Sequence, residues 1–184
     1  PKMWENAKKG VCGIDLIRSF DTADLKVKIA GELKDFNPED HFDKMTVRRT
    51  SRFTQLAIIA AREAVHQSGL NFESEDVRRC GVNISSGIGG LPTIETEHYK
   101  GIQKGFDRVS PLFVPMAITN MAAGLVAIEF GLKGSCTCIV TACASATNAI
   151  GEAFRQIRDG YADVMLTGGS ESCISELGIG GFTS

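Results

Sequence analysis

Cys143 is the residue whose type and position best suit covalent chemistry. It follows a predicted strand over residues 135–141 and precedes a predicted helix that begins near Ala144. Free backbone N–H groups at a helix N-terminus favour the thiolate, the nucleophilic form of cysteine. The small neighbours Ala142 and Ala144 leave room for a substrate, and the Cys143 N–H can face an oxyanion. Position alone equally allows Cys143 to be a small buried residue, so both interpretations stay open at this point.

Two other cysteines, Cys136 and Cys138, lie two residues apart and could form a metal or redox pair. The six cysteines of the chain contain no Cys-x-x-Cys motif, and no second pair of ligands stands near these two in the sequence. Residues two apart in a strand share one face of a sheet. We therefore predict a strand here and no metal site, and we expect no cofactor.

The composition is that of an ordinary globular protein. The 184 residues include 20 Lys and Arg against 22 Asp and Glu, and 43% are hydrophobic. This near-neutral balance argues against nucleic acid as the main partner. The longest apolar stretch, residues 121–128, is too short to cross a bilayer, so we expect no membrane span. Reduced cysteines and an N-terminus without the features of a secretory signal predict a cytoplasmic location.

Periodicity and glycine positions predict the elements that must position Cys143. Residues 80–85 and 163–167 have the pattern of short buried strands that run into glycine-rich turns, and a shorter strand is predicted at 25–29. Apolar spacing predicts four helices, at residues 51–68, 93–100, 115–130 and 144–159. The third of these is apolar nearly all round, which predicts burial. Strand, helix and strand in this order imply a right-handed parallel βαβ unit around Cys143.

Five motifs in order along the chain resemble those of β-ketoacyl-[acyl-carrier-protein] synthases. They are SGIGGL at 86–91, SPLFVP at 110–115, IVTACAS at 139–145, DVMLTGGSE at 163–171 and GIGGF at 178–182. The resemblance covers essentially the whole chain and is closest to the type II branch, which elongates fatty acids in bacteria. Polyketide ketosynthase modules usually carry a serine-rich stretch after the cysteine, from which this sequence departs. With the resemblance, the interpretation of Cys143 as the nucleophile becomes the favoured one.

The resemblance implies an α/β fold of the thiolase-like kind, with two similar halves in each subunit of a homodimer. Residues 1–184 are then the N-terminal half-domain, truncated at both ends, with a mixed sheet and a buried helix after the nucleophile strand. The implied reaction moves an acyl chain from acyl-carrier protein to Cys143, and a decarboxylative Claisen condensation with malonyl-carrier protein extends it. Transfer between thioesters is nearly balanced in energy, which suits a thiolate nucleophile.

The resemblance also implies an acyl pocket. Ile88, Phe113 and Phe182 match positions that line this pocket in family members, with some walls supplied by the neighbouring subunit. Apolar residues beside glycines are equally compatible with ordinary core packing. We predict that the three side chains contact the acyl chain.

A basic patch is the implied docking site for the carrier protein. Arg48 and Arg49 match basic positions that the family offers to this acidic partner, and Lys44, Arg52 and Arg108 could extend the patch. Runs of charge are often only solvated surface. A local cationic patch on a chain of formal charge −2 nevertheless steers encounter with an acidic protein.

One departure from the family limits the implied activity. Family members use two histidines and a lysine from their second half for decarboxylation and enolate stabilisation. His41, His66 and His98 of this chain do not match those motifs. We therefore expect a longer enzyme, of which residues 1–184 carry the nucleophile and do not condense substrates alone.

Two alternative functions stay open. A non-catalytic partner subunit, like the chain-length factors that pair with ketosynthases, characteristically lacks the nucleophile, so Cys143 argues against it. An acyltransferase of the thiolase superfamily that uses coenzyme A directly would keep the cysteine. The glycine runs at 87–90 and 178–182 fit the carrier-protein branch better.

Overall fold

Eight α-helices and five short strands form the part of the chain that the computed structural model describes, residues 2–184. In chain order the helices are α1 (Lys2–Lys8), α2 (Lys44–Arg49), α3 (Arg52–Ser68), α4 (Leu91–Lys104), α5 (Phe113–Ala117), α6 (Met121–Glu129), α7 (Ser145–Arg158) and α8 (Glu176–Phe182). The strands are β1 (Asp15–Leu16), β2 (Ile29–Ala30), β3 (Cys80–Ser85), β4 (Cys136–Thr137) and β5 (Val164–Gly169). These residues form two compact units, one of residues 38–172 and one of residues 2–37 with 173–184.

The larger unit is built on a parallel sheet of three strands in the order β4-β3-β5. Val82 lies opposite Cys136, and Cys80 lies opposite Val164. Every residue of β3 is buried, as expected for a central strand with a neighbour on each side. Parallel strands need long crossover connections, and α7 lies in the connection from β4 to β5, which flank β3. The predicted strands at 80–85 and 163–167 and their parallel arrangement are confirmed.

Helices cover both faces of this sheet. On one face Val82 packs with Phe53 of α3 and Val126 of α6 in the main hydrophobic core. On the other face the Asn83 side-chain amide donates to the Ala149 carbonyl of α7 at 3.3 Å. Alternate residues of β3 therefore serve opposite layers, which is the arrangement of an α/β fold.

Three of the four predicted helices are confirmed, at 51–68, 93–100 and 144–159. Helix α3 ends at Ser68, where Gly69 adopts a left-handed φ of 71° and donates its N–H to the His66 carbonyl. A glycine in this conformation is a common way to end a helix. The end of α3 is thus set by the adjacent Gly69, and the sequence alone predicts it.

The prediction of one buried helix over 115–130 is wrong. The structure has two shorter helices, α5 and α6, with extended backbone at Ile118 between them. In a continuous helix the Ala117 carbonyl would accept the Met121 N–H. Here it accepts the Gly90 N–H at 3.0 Å, and the Met121 N–H donates to the Ile118 carbonyl. A tertiary hydrogen bond thus takes the acceptor that a continuous helix would use. Helix α6 is also buried on one side only, and Ile128 is 74% exposed.

The predicted mixed sheet and buried helix after the nucleophile strand also need correction. The three-stranded sheet is wholly parallel, and within residues 2–184 antiparallel pairing occurs only between β1 and β2. Helix α7 buries Ser145, Ala149 and Ala153, whereas Phe154 is 62% exposed. The strand predicted at 135–141 pairs only at β4, because farther along the Ile139 N–H donates to a side chain, Ser85 Oγ, and not to the ladder.

The smaller unit contains the antiparallel pair β1 and β2, with Leu16 opposite Ile29. Of the strand predicted at 25–29, residue 29 alone lies in an observed strand, β2. The Glu32 carboxylate accepts the N–H groups of Arg18 and Ser19 at 2.8 and 3.2 Å and holds the chain that follows β1. Among residues 2–184, no helix has the length and apolar character needed to cross a bilayer.

Candidate active site

Cys143 lies in a tight turn that leads into α7. The turn is a single stretch of 3-10 helix, Ala142–Ala144, and α7 begins at Ser145. Ala142 has a φ of 51°, in the left-handed region that residues other than glycine rarely adopt. The Cys143 side chain is exposed, whereas Cys80 is buried. The structure thus places Cys143 at the predicted strand-to-helix junction and does not bury it within this chain.

Two polar side chains of α7 hold this turn. Ser145 Oγ accepts the Thr141 N–H at 2.9 Å and donates to the Ala142 carbonyl at 2.7 Å. Asn148 Nδ2 donates to Thr141 Oγ1 at 2.7 Å. Because Ser145 is buried, its two hydrogen bonds are shielded from competition with water. These contacts constrain the backbone on both sides of Ala142 and so define where Cys143 lies.

Residues 86–90, the glycine loop, lie beside this turn. A Cβ on Gly87 would stand 3.6 Å from the Ala142 carbonyl oxygen. A Cβ on Gly89, which has a φ of 77°, would stand 2.6 Å from the Ala117 carbonyl oxygen. The Gly89 N–H donates to the buried Ser86 Oγ at 2.9 Å. Gly89 therefore permits a close approach of the loop to the main chain at Ala117, whereas Gly87 lies beside Ala142 at ordinary contact distance.

The Glu171 carboxylate binds the glycine loop at three points. Its Oε1 atom accepts the Ser86 hydroxyl at 3.1 Å, and its Oε2 atom accepts the Gly87 and Ile88 N–H groups at 2.8 and 3.0 Å. Glu171 is the last residue of the motif DVMLTGGSE, and the motif by itself predicts no role for it. Its position after β5 was the available signal, because the carboxyl ends of parallel strands meet at one edge of the sheet.

Ser85 joins the carboxyl ends of the strands at this edge. Its hydroxyl oxygen accepts the Ile139 N–H at 3.1 Å, and its carbonyl accepts the Ser170 N–H at 2.9 Å. Ser85 is 1% exposed, so both bonds are internal. Ser85 therefore bonds the segment that leads to the cysteine turn, residues 142–144, and it bonds the residue before Glu171. The glycine loop begins at the next residue after Ser85.

The predicted acyl-pocket residues do not all belong to one unit. Ile88 is half-buried in the glycine loop, and Phe113 is the half-buried first residue of α5. The Gly90 N–H bonds the Ala117 carbonyl, so the segment that carries Ile88 contacts the end of α5. Phe182 belongs to α8 in the smaller unit and is 72% exposed. The contact of these side chains with an acyl chain stays a prediction.

Arg48 and Arg49 form the exposed last turn of α2. Asp43 caps this helix by accepting two backbone N–H groups of its first turn, and the Thr46 hydroxyl, also bonded to Asp43, holds the pKa of that carboxyl below its usual range. The buried Gln55 side chain donates to the Thr50 carbonyl at 3.1 Å and fixes the chain just after the arginines.

The other three basic residues predicted for the patch lie on different elements. Lys44 lies one helical turn before Arg48 and Arg52 lies in the first turn of α3, and both are exposed. Arg108 is exposed on a separate stretch of 3-10 helix. The role of these residues in binding a carrier protein stays a prediction.

Cys80 and Cys136 of the larger unit lie within strands and not at a turn that leads into a helix. Burial raises the pKa of the Cys80 thiol, which donates to the Asp76 carbonyl. Desolvation, with a smaller contribution from Cys138, raises the pKa of Cys136. Both thiols are thus held in the unreactive protonated form. In the described part of the chain, no group of three or more His, Cys, Asp or Glu is placed to hold a metal ion.

Comparison with known proteins identifies the family. The whole chain, residues 1–184, matches the family described as "Beta-ketoacyl synthase, N-terminal domain". The chain belongs to the β-ketoacyl synthase family. The resemblance seen in the five motifs is therefore confirmed, as is the thiolase-like fold.

Curated β-ketoacyl synthases resemble the chain over nearly its full length. The "3-oxoacyl-[acyl-carrier-protein] synthase 2" of Staphylococcus aureus is 53% identical over 181 residues, which are 98% of this chain and 45% of that protein. The protein of the same name from Synechocystis sp. is 40% identical over 181 residues, 98% of this chain and 44% of that protein. The chain thus spans less than half the length of these relatives.

Solved structures of ketosynthases have the same fold. The ishigamide ketosynthase/chain length factor superposes with a TM-score of 0.87 at 23% identity, over 97% of this chain and 45% of that one. A type II polyketide ketosynthase in complex with its acyl-carrier protein superposes with a TM-score of 0.75 at 26% identity, over 82% of this chain and 43% of that one.

In this β-ketoacyl synthase domain, the geometry around Cys143 suits nucleophilic attack by the thiol. The thiol is exposed, the turn that carries it is held by hydrogen bonds to Ser145 of α7, and the part of the glycine loop beside that turn is Gly87, which has no side chain. Main-chain N–H groups near a nucleophile are the usual donors to a developing oxyanion.

Proposed function

We propose that this chain is the N-terminal half-domain of a type II 3-oxoacyl-[acyl-carrier-protein] synthase, a transferase that elongates fatty acids. The observation that carries the proposal is the exposed Cys143 on its constrained turn, in a chain that belongs to the β-ketoacyl synthase family. The relatives at 53% and 40% identity support the choice of the type II elongating enzyme, because both are named 3-oxoacyl-[acyl-carrier-protein] synthase 2.

In the first step, the Cys143 thiolate attacks the carbonyl carbon of an acyl-carrier-protein thioester. A new C–S bond forms while the carbonyl oxygen becomes an oxyanion, to which the Cys143 N–H can donate. Collapse of this intermediate breaks the bond to the carrier sulfur, and the carrier leaves as a thiolate that takes up a proton. Because one thioester replaces another, the acyl group is held without a deep energy minimum.

In the second step, malonyl-carrier protein loses carbon dioxide, and its carbanion attacks the acyl-cysteine carbonyl. The C–S bond to Cys143 breaks, and the thiolate is regenerated. Family resemblance assigns the decarboxylation to two histidines and a lysine that the motifs of this chain do not include. Residues 1–184 therefore supply the acyl-loading half of the reaction and do not condense substrates alone.

The partners follow from the same proposal. Arg48 and Arg49 receive an acidic acyl-carrier protein, and a second copy of the chain completes a homodimer in the cytoplasm. The solved complex of a related ketosynthase with its acyl-carrier protein supports the choice of partner. The exposure of both arginines at the end of α2 is compatible with docking.

The test is acyl loading of the intact protein that contains this chain. Intact-mass spectrometry after mixing with an octanoyl-carrier-protein thioester should show one acyl adduct on the wild type and on Cys12→Ala, and none on Cys143→Ala. Cys12 is a suitable control because it is the exposed cysteine of the smaller unit. Retention of the adduct in Cys143→Ala, or its loss in Cys12→Ala, would contradict the proposal.

The same experiment separates this function from that of a coenzyme-A-dependent acyltransferase. We expect loading from the carrier-protein thioester to exceed loading from octanoyl-coenzyme A by at least about tenfold, because only the protein donor can use the basic patch for encounter. Faster loading from coenzyme A would favour that other class. No loading from either donor would favour a non-catalytic subunit.

A further inference from the structure

The contacts of Glu171 extend beyond what ordinary surface carboxylates make. It accepts three hydrogen bonds, two of them from consecutive main-chain N–H groups of a loop that lies 83 to 85 positions earlier in the chain. A single side chain just after β5 therefore bonds three consecutive residues of the glycine loop.

The glycine loop is the link between Glu171 and the nucleophile. Gly87 donates to Glu171 and lies beside the turn that carries Cys143. A Cβ on Gly87 would stand 3.0 Å from Glu171 Oε2 and, at ordinary contact distance, 3.6 Å from the Ala142 carbonyl oxygen. Ala142 immediately precedes Cys143 and has the left-handed φ of 51°. A shift of the loop toward or away from the turn thus changes the space directly beside the nucleophile.

We propose that Glu171 is a positioning residue, which holds the glycine loop against the turn that carries Cys143 and so shapes the space where the acyl thioester is attacked. The proposal rests on the proposed function for its consequence in catalysis. It goes beyond that function by assigning a role to a carboxylate that does not itself touch the reacting atoms. Misplacement of a positioned group by about 1 Å can cost a hundredfold in rate.

The geometry predicts an unusual order among three variants. Glu171→Gln keeps the acceptor oxygen for both main-chain N–H groups, and its amide can donate to Ser86 Oγ, which has two lone pairs. Glu171→Asp keeps the charge, but its carboxylate is one methylene shorter and does not reach all three donors. Glu171→Ala removes every contact. If Glu171 positions the loop, the Glu171→Gln variant should behave like the wild type and the Glu171→Asp variant like Glu171→Ala. If the negative charge were what mattered, Glu171→Asp would behave like the wild type and Glu171→Gln would not.

Two measurements on the intact protein test this order. Hydrogen exchange at the Gly87 and Ile88 amides should quicken by about tenfold or more in Glu171→Ala and Glu171→Asp and stay near wild type in Glu171→Gln. The saturating rate of acyl loading from octanoyl-carrier protein should fall by about tenfold or more in the Ala and Asp variants. The KM for the carrier protein should stay unchanged, because the basic patch is untouched, and a general loss of structure would not produce this split.

Glu152→Ala is the matched control. Glu152 is another carboxylate of the larger unit, and its side chain pairs with Arg155 one turn along α7. We expect wild-type exchange and wild-type loading from it. If Glu171→Ala does not fold, the comparison of Glu171→Gln with Glu171→Asp decides alone.

Several outcomes would overturn the proposal. Loading within about twofold of Glu152→Ala in both the Asp and Ala variants would do so, as would an active Asp variant beside an inactive Gln variant. Unchanged exchange at Gly87 and Ile88 in Glu171→Ala would also do so. A wild-type protein that accepts no acyl group would instead contradict the proposed function, and the exchange data would still decide whether Glu171 holds the loop.

Discussion

At the scale of single residues, Ala142 is the strained position of the candidate site. Its φ of 51° is the one positive value at a non-glycine residue among residues 2–184. A left-handed conformation costs an L-residue about 1 to 2 kcal/mol, so surrounding contacts must maintain it. The Ser145 hydroxyl supplies such contacts on both sides of Ala142. The strain lies directly before Cys143, which is where a nucleophile must be presented away from the sheet.

This conformation predicts opposite effects for two substitutions at one position. Ala142→Gly should leave the free energy of unfolding unchanged or raise it by up to about 1 kcal/mol, because glycine adopts a positive φ without steric cost. Ala142→Val should lower it by about 2 kcal/mol or more, because a β-branched residue is strongly disfavoured there. Urea unfolding of the intact protein measures both.

The control for Ala142→Gly is Ala60→Gly. Ala60 is exposed within α3, where the same chemical change should cost about 1 kcal/mol because glycine is a poor helix former. Equal losses at Ala60 and Ala142 would show that Ala142 is not strained.

At the scale of elements, the glycine loop and α5 determine each other's conformation. The Ala117 carbonyl at the end of α5 accepts the Gly90 N–H at 3.0 Å, and the main chain of the loop passes close to Ala117 at Gly89. This contact ends α5 before α6 can continue it. An element boundary is thus created by a loop more than twenty positions earlier in the chain.

The close approach predicts that Gly89→Ala is more damaging than its φ alone would suggest. Its Cβ would stand 2.6 Å from the Ala117 carbonyl oxygen, and main chain cannot yield as a flexible side chain would. We expect a loss of about 3 kcal/mol in the free energy of unfolding.

Gly69→Ala isolates the contribution of φ. Gly69 has a similar φ of 71°, but a Cβ there would meet nothing within 4 Å. Its loss should be about 1 kcal/mol, measured in the same urea titration. A loss at Gly89 no larger than the loss at Gly69 would contradict the close approach.

At the scale of the whole molecule, charge is distributed unevenly although it nearly cancels. The chain has a formal charge of −2, yet Arg48 and Arg49 follow each other at the exposed end of α2. Neither arginine forms an ion pair within residues 2–184. Their field is therefore available to steer an acidic partner, and salt screens such steering over about 10 Å at 0.1 M ionic strength.

This distribution predicts a defect of encounter in the variant Arg48→Glu with Arg49→Glu. The KM for acyl-carrier protein should rise by about tenfold at low salt, with kcat little changed, and the effect should shrink as salt is added. Steady-state loading assays at several salt concentrations measure this.

The matched control is Arg78→Glu with Lys133→Glu. It makes the same change in net charge at exposed residues that lie before β3 and β4, at the amino ends of the strands and away from Cys143. An equal rise in KM in this control would show that net charge, and not the patch, determines the encounter.

Several features of this protein were determined by the sequence itself, because they depend on neighbours along the chain. Apolar spacing and Gly69 predicted α3, and the pattern of a short buried strand before a glycine-rich turn predicted β3. The junction that carries Cys143 was predicted from the change between strand and helix periodicity. Both the family and the candidate nucleophile were recognisable in the motifs around these elements.

Only the tertiary structure decided the features that join distant parts of the chain. The role of Glu171 depends on donors 83 to 85 positions away, and the break between α5 and α6 depends on Gly90. Local periodicity does not encode such pairs, because their hydrogen bonds form only when parallel strands bring their carboxyl ends to one edge of the sheet. The sequence thus determined which residue is the candidate nucleophile, and the packing of the sheet determined which residues hold the space around it.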